Sequence, residues 1–160
     1  MTQTATPLIG LGATLSIGTQ GGTPVFTPIN GIKKITPPQP KFGVEDVTTL
    51  STPNTGRRKV KTLIDNGEIK IEGEWESADA GQTALAAALA TVSNSTNGAD
   101  YPFKLALPVD LAGGQVTTGD LLAFNAMVTE FSISDVEIEK TITFSATLTI
   151  DGPLTFTPGA

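Results

Sequence analysis

Glu72, Glu74 and Glu76 stand two residues apart, and on an extended chain such positions point to one side. Two carboxylates so aligned could work as the acid and base of a glycosidase-like site, one protonating a leaving oxygen while the other activates water. A second cluster, Arg57, Arg58, Lys59 and Lys61, could neutralise phosphates or meet an acidic surface. Neither grows into a catalytic constellation. The chain has no histidine and no cysteine, which removes the commonest general base, the imidazole and thiolate metal ligands and the thiolate nucleophile. Carboxylates, lysines, hydroxyls and Tyr101 remain. Nothing around the three glutamates sets one apart as acid and another as base, so a solvated strand face is the expected reading. Asp46, Asp65 and Asp79 lack the spacing of a metal loop, and Gly10, Gly12 and Gly18 do not form a strand–GxGxxG–helix unit. We expect no enzymatic activity, no cofactor and no metal.

Charge narrows the choice further. The formal net charge is -6, and a surface that grips phosphates needs an excess of lysine and arginine. The basic run also lacks interleaved aromatic residues, so an acidic protein surface is expected as its partner before nucleic acid, and a merely solvated loop before either if the chain is monomeric. At 160 residues one domain with a single core is expected. Met1 to Leu11 lacks a basic segment followed by an apolar run, and no apolar stretch is long enough to span a bilayer, so a soluble protein without a signal of its own is expected.

The elements that would position these residues centre on 66–92. From Glu68 to Glu76, Ile69, Ile71 and Trp75 share one face and Glu68, Lys70, Glu72, Glu74 and Glu76 the other, the pattern of a half-buried strand. A helix follows, capped by Ser77 or Asp79, with Gln82 as a capping-box partner and Leu85, Leu89 and Val92 as its apolar stripe. So short and alanine-rich a helix cannot hold itself together in water and must dock on a sheet.

The rest of the chain supplies strands. Short ones are expected over 13–18, around Val25 and Phe26, over 32–36 and over 44–50, with turns at Gly21-Gly22 and Asn30-Gly31. Pro37, Pro38 and Pro40 enforce an extended crossing. Ser51 to Asp65, which holds the basic cluster, reads as a long connection, and loops of that length are more often functional than idle. Loops are expected over 93–100 and 108–119, and a strand over 101–107. Along 122–133 the apolar phase switches after Val128 to Phe131 and Ile133, which signals a bulge or bend. Val136 to Ile150 gives the longest alternation, with Glu137 and Glu139 on its polar face, and Asp151-Gly152-Pro153 is expected to end it. A peripheral arm over 1–12 and a tail over 154–160 complete a mainly β chain of two packed antiparallel sheets, a sandwich or small barrel, with one flanking helix.

These stretches, in this order, resemble the major tail tube proteins of long-tailed, non-contractile, lambda-like bacteriophages. The resemblance rests on Asn30 to Pro38, the Phe42 to Leu50 strand, the basic residues Arg57 to Lys61, and Gly67 to Trp75 leading into the helix. Phe124 to Phe131, the threonine-rich strand and Asp151-Gly152-Pro153 continue it, so that it spans roughly residues 29–153. It implies a virion protein that forms hexameric rings, stacked into a hollow tube around a tape-measure protein and bounded by terminator and tip proteins. DNA would pass through without specific binding, and no membrane is a partner. Arg57, Arg58, Lys59 and Lys61 would then brace contacts between subunits or rings. Glu68, Glu72, Glu74, Glu76, Glu137 and Glu139 would make the channel wall acidic. Some relatives carry an added C-terminal immunoglobulin-like domain; this chain reaches Ala160 without one, so no role tied to that domain is expected. Two other classes fit the same pattern: a tube component of a bacterial secretion or phage-tail-derived delivery machine, and a monomeric β-sandwich binding module.

Overall fold

Leu15 and Ile17, Ile69 and Ile71, and Phe103 and Leu105 are pairs two residues apart, and all six side chains are buried. Each pair marks a strand with one face inward. The computed structural model describes residues 9–51, 56–92 and 98–160. In chain order it contains β1 (Thr14–Gly18), β2 (Phe26–Pro28), β3 (Ile32–Thr36), β4 (Lys41–Asp46), β5 (Lys59–Asp65), β6 (Glu68–Glu74), α1 (Ala80–Leu89), β7 (Tyr101–Ala106), β8 (Leu121–Ser134) and β9 (Thr143–Thr157). Seven strands form one antiparallel sheet in the order β2-β1-β7-β8-β9-β6-β3, and β4 pairs only with β5. The fold is mainly antiparallel β with one flanking helix, as expected. Its two sheets are unequal, and the larger one does not close into a barrel.

One face of the large sheet makes the core. Phe124, Ala126 and Val128 of β8, and Phe144, Ala146 and Leu148 of β9, join the pairs above, and Leu85 and Ala88 of α1 cover them. Trp75 extends the inward row of β6 and sets its ring edge-on to Phe131 and Phe144, at centroid distances of 5.8 and 6.4 Å, a favoured aromatic geometry. Ile32 and Ile35 of β3 pack on the same cluster, and a cavity of about 300 Å³ separates them from Ala13, Leu105 and Leu107. The sheet therefore curls until its far edge faces β1 and β7, with a gap left between.

The helix start follows the sequence, and its stripe does not. Asp79 is the cap, its carboxylate accepting from the Gln82 N–H at 2.8 Å. Gln82 does not close a capping box, because the Asp79 N–H donates to the Glu76 carbonyl. Its side chain is fully buried and bonds the Glu76 N–H and the carbonyls of Asn30 and Glu74. The buried face is Gly81, Gln82, Leu85 and Ala88. Leu89 and Val92, expected to be inward, are 41% and 73% exposed. Gly81 belongs to the buried face because the backbone of Pro28 and Ile29 runs against it.

Four boundaries need correction. Residues 59–65, expected to belong to a loop over 51–65, are strand β5, so Lys59 and Lys61 stand on a strand. The strand expected over 44–50 is β4, three residues earlier. The strand expected over 136–150 begins only at Thr143, and Glu137 and Glu139 sit in the turn after β8. Finally, Asp151-Gly152-Pro153 does not end β9: Asn125 pairs with Asp151 and Ala123 with Thr155, so the ladder absorbs two extra residues and runs on through Leu154 to Thr157. Gly152, at φ 82°, supplies the backbone geometry that this bulge needs. The bulge expected after Val128 is present as a register shift between Val128 and Glu130. Of the expected arm over 1–12 only 9–12 is described, and 52–55 and 93–97 of the two expected loops also lie outside the described residues.

Candidate functional site

The β4–β5 hairpin has no inside. Every residue of both strands is exposed, although Phe42, Val44, Val60, Leu63 and Ile64 are apolar. Phe42 faces Ile64 and Val44 faces Lys61 across the ladder. Lys61 lays its ammonium 4.9 Å from the centre of the Phe42 ring, a cation–π contact worth about 0.5–1 kcal/mol at an exposed site. Beyond the strands, Val47 N donates to Arg58 O and Arg58 N to the Thr48 hydroxyl, both at 2.9 Å, so pairing continues toward the tip. Asp46 accepts from the Thr48 hydroxyl and backbone N–H, and these two bonds hold its carboxyl below the usual aspartate range. Arg57 approaches the same carboxylate at 3.9 Å with most of its side chain in solvent.

The structure thus gathers Arg57, Arg58, Lys59 and Lys61 on one projecting hairpin, together with Val60, Leu63 and Ile64, apolar residues of the stretch expected to be a loop. The missed signal was the heptapeptide Lys-Val-Lys-Thr-Leu-Ile-Asp of β5. Its strand-forming content is high, but the register shift between Phe42 and Val44 breaks its alternation.

The glutamates divide into two groups. Glu68, Glu72 and Glu74 lie on the outward face of β6, opposite Ile69, Ile71 and Gly73. Lys33 bonds Glu74 at 2.5 Å, Lys34 stands opposite Glu72 in register and Thr36 opposite Lys70. Three lysines therefore interleave with the three glutamates, and this part of the face is balanced rather than acidic. Across β9 the same face continues as Thr143, Ser145, Thr147 and Thr149. Glu76 follows the strand end. Glu137 and Glu139 are remote from this row in sequence and are not on a strand; Glu137 pairs with Lys140 at 3.0 Å.

An open cleft of about 570 Å³ at the hairpin base is lined by Asp65, Glu68 and Lys70 among others, but no general base is paired with a nucleophile there. Among the described residues no group of three or more acidic side chains could hold a metal ion. No helix among them is long and apolar enough to cross a membrane.

Comparison with known proteins gives a fold. No protein-family model matches the chain, and no curated protein matches it. Among solved structures, the tail of an empty gene transfer agent particle with C6 symmetry is 15% identical, with a TM-score of 0.65 over 94% of this chain and 99% of that one. The sixfold-symmetrised anti-feeding prophage baseplate is similar at 9% identity and TM-score 0.67, covering 97% and 98% of the two chains. The SPP1 tail tube is similar at 16% identity and TM-score 0.63, covering 96% and 80%. The chain carries the fold that phage tail tubes share with gene transfer agent tails and extracellular injection systems.

Proposed function

We propose that this chain is a structural subunit whose copies close into six-membered rings that stack into a hollow tube, the tail of a phage or of a phage-derived particle. The observation that carries this reading is the β4–β5 hairpin. A lone two-stranded hairpin is marginal in water at best, and exposing apolar residues on both its strands makes sense where another copy covers them.

In the tube, the outward face of the large sheet would line the channel. Its Ser and Thr rows on β9, with Glu68 and Glu72 set among lysines, offer DNA no run of cations to bind. A tape-measure protein inside and terminator and tip proteins at the ends would be the further partners, in a virion-like tail. A second reading, a tube component of a contractile delivery machine, is favoured by the likeness to the anti-feeding prophage and to an extracellular contractile injection system, the latter with a TM-score of 0.68 at 10% identity.

Electron microscopy of the concentrated protein tests both readings. Rings or tubes of uniform width are expected. A species of 16.5 kDa at every concentration would leave the monomeric binding module in their place. Phe42→Ser with Ile64→Ser should abolish assembly while leaving the melting of the large sheet unchanged.

A further inference from the structure

We propose that the tip of the β4–β5 hairpin docks, in a second copy of this chain, on the turn 135–142 between β8 and β9. The inference rests on the self-assembly reading above and names the contact. Between Lys41 and Asp65 the hairpin carries five cationic side chains against three anionic ones, on a chain whose net charge is -6. Both arginines of the chain, Arg57 and Arg58, are at its tip. Leu50, two residues after Thr48, which bonds Arg58, is fully exposed, at 110% of its reference area. The described end of the hairpin therefore offers both arginines and an uncovered leucine.

The turn offers the complement. Asp135, Glu137 and Glu139 stand against the single cation Lys140, and the Glu137–Lys140 pair leaves the segment net negative. Val136 and Ile138 lie between these acids, and Ile138 is 105% exposed. Alternation in 136–142 predicts a strand with an apolar face, yet the structure leaves Val136 and Ile138 of that face exposed. Asp135 adopts a positive φ of 60° and accepts from the Thr143 hydroxyl at 3.1 Å, which fixes how the turn leaves the sheet.

Other acidic surfaces fit less well. Glu68, Glu72 and Glu74 are interleaved with Lys33, Lys34 and Lys70. Asp110 and Asp120 accept from Gly113 N, and from Gln115 Nε2 and Gly159 N, within their own part of the fold. Only at 135–142, among the described residues, do unbalanced acid and fully exposed aliphatic side chains coincide. Because tip and turn are different patches, the contact is heterologous; repeated, it closes a ring or extends a filament rather than stopping at a dimer.

Charge exchange is the test. Arg57→Glu with Arg58→Glu should raise the concentration needed for assembly by about tenfold or more, since like charges now face each other. Glu137→Lys with Glu139→Lys should do the same, and all four substitutions in one chain should restore assembly. As a second measurement, the chain lacks cysteine, so Leu50→Cys chains mixed with Ile138→Cys chains should form a disulfide-linked pair on oxidation of the assembled material. Should the unaltered protein fail to assemble, the tube reading falls and this contact with it. Should it assemble while the fourfold variant stays monomeric and the two cysteine chains do not cross-link, the tube reading stands and this contact is overturned. If the reversed chains misfold, the cysteine pair decides alone.

Discussion

The side-chain amide of Gln82 donates to the backbone carbonyl of Glu74 at 2.9 Å, tying the first turn of the helix to the end of β6. The same nitrogen donates to Asn30 O at 2.7 Å, and the amide oxygen accepts from Glu76 N at 2.8 Å. One buried glutamine therefore satisfies three backbone groups and ties the helix to two other segments, at Asn30 and at 74–76. Gln82→Met keeps the shape and removes all three bonds. It should cost about 2–4 kcal/mol, because unpaired buried groups lose their full solvation, and thermal unfolding measures this. A shift of less than a degree would show the three segments to be held by packing alone.

Gly81 reverses the ordinary helix rule. Replacing an exposed helical glycine by alanine stabilises by about 1 kcal/mol. Here a Cβ would meet Pro28 O at 2.2 Å and Ile29 Cα at 2.7 Å, backbone atoms that cannot step aside. Gly81→Ala should therefore destabilise, by about 1–3 kcal/mol, in chemical denaturation. An unchanged or raised midpoint would mean that the 28–29 connection yields freely.

Asp46 should make the hairpin tip sensitive to acid. Its carboxyl is held low by the Thr48 hydroxyl, then by the Thr48 N–H. A depressed carboxylate adds stability that is complete above the unfolded aspartate pKa, near 3.9, and that fades as pH falls through the lowered folded value. Hydrogen exchange should show the Thr48 and Arg58 amides losing protection in that window, while the core strands hold theirs. Asp46→Asn should flatten the response. A pH-independent tip in the parent protein would contradict the assignment.

The balanced face yields a prediction for transport. Glu72→Lys would place a fourth cation among Lys33, Lys34 and Lys70 without touching the core. The monomer should stay within about 0.5 kcal/mol of the parent. If that face lines the channel, particles carrying the variant should release DNA more slowly, most visibly at low salt. Release at the parental rate from normally assembled particles would place the face elsewhere.

Side chains that pack within one subunit were the legible part of the sequence. Ile69, Ile71, Phe103, Leu105 and the phase switch after Val128 obey the period of two because the core rewards it. The illegible part shares one cause. In β5 and in 136–142, apolar residues have no core of their own to face, so a period read as a buried strand becomes an exposed turn, and a sequence with a broken period becomes an exposed strand. Leu89 and Val92 misled in the same way, since helical spacing alone cannot say where the sheet ends beneath the helix. The basic cluster was visible as charge. Its placement on a hairpin was not, because the pairing of Phe42 with Ile64 joins residues far apart in sequence.

The position of β9 has a consequence for the order in which the molecule can mature. In the sheet it stands between β8 and β6, and without it β2, β1, β7 and β8 form one fragment and β6 with β3 another. Strand β9 follows the other described strands, so during translation the ladder of the large sheet stays interrupted until it has emerged. Such late, non-local pairing makes for slow folding. In the proposed tube it would also act as a timer: a nascent chain could not present a finished ring-forming surface to its neighbours, and polymerisation would wait for chains in which β9 has been laid in.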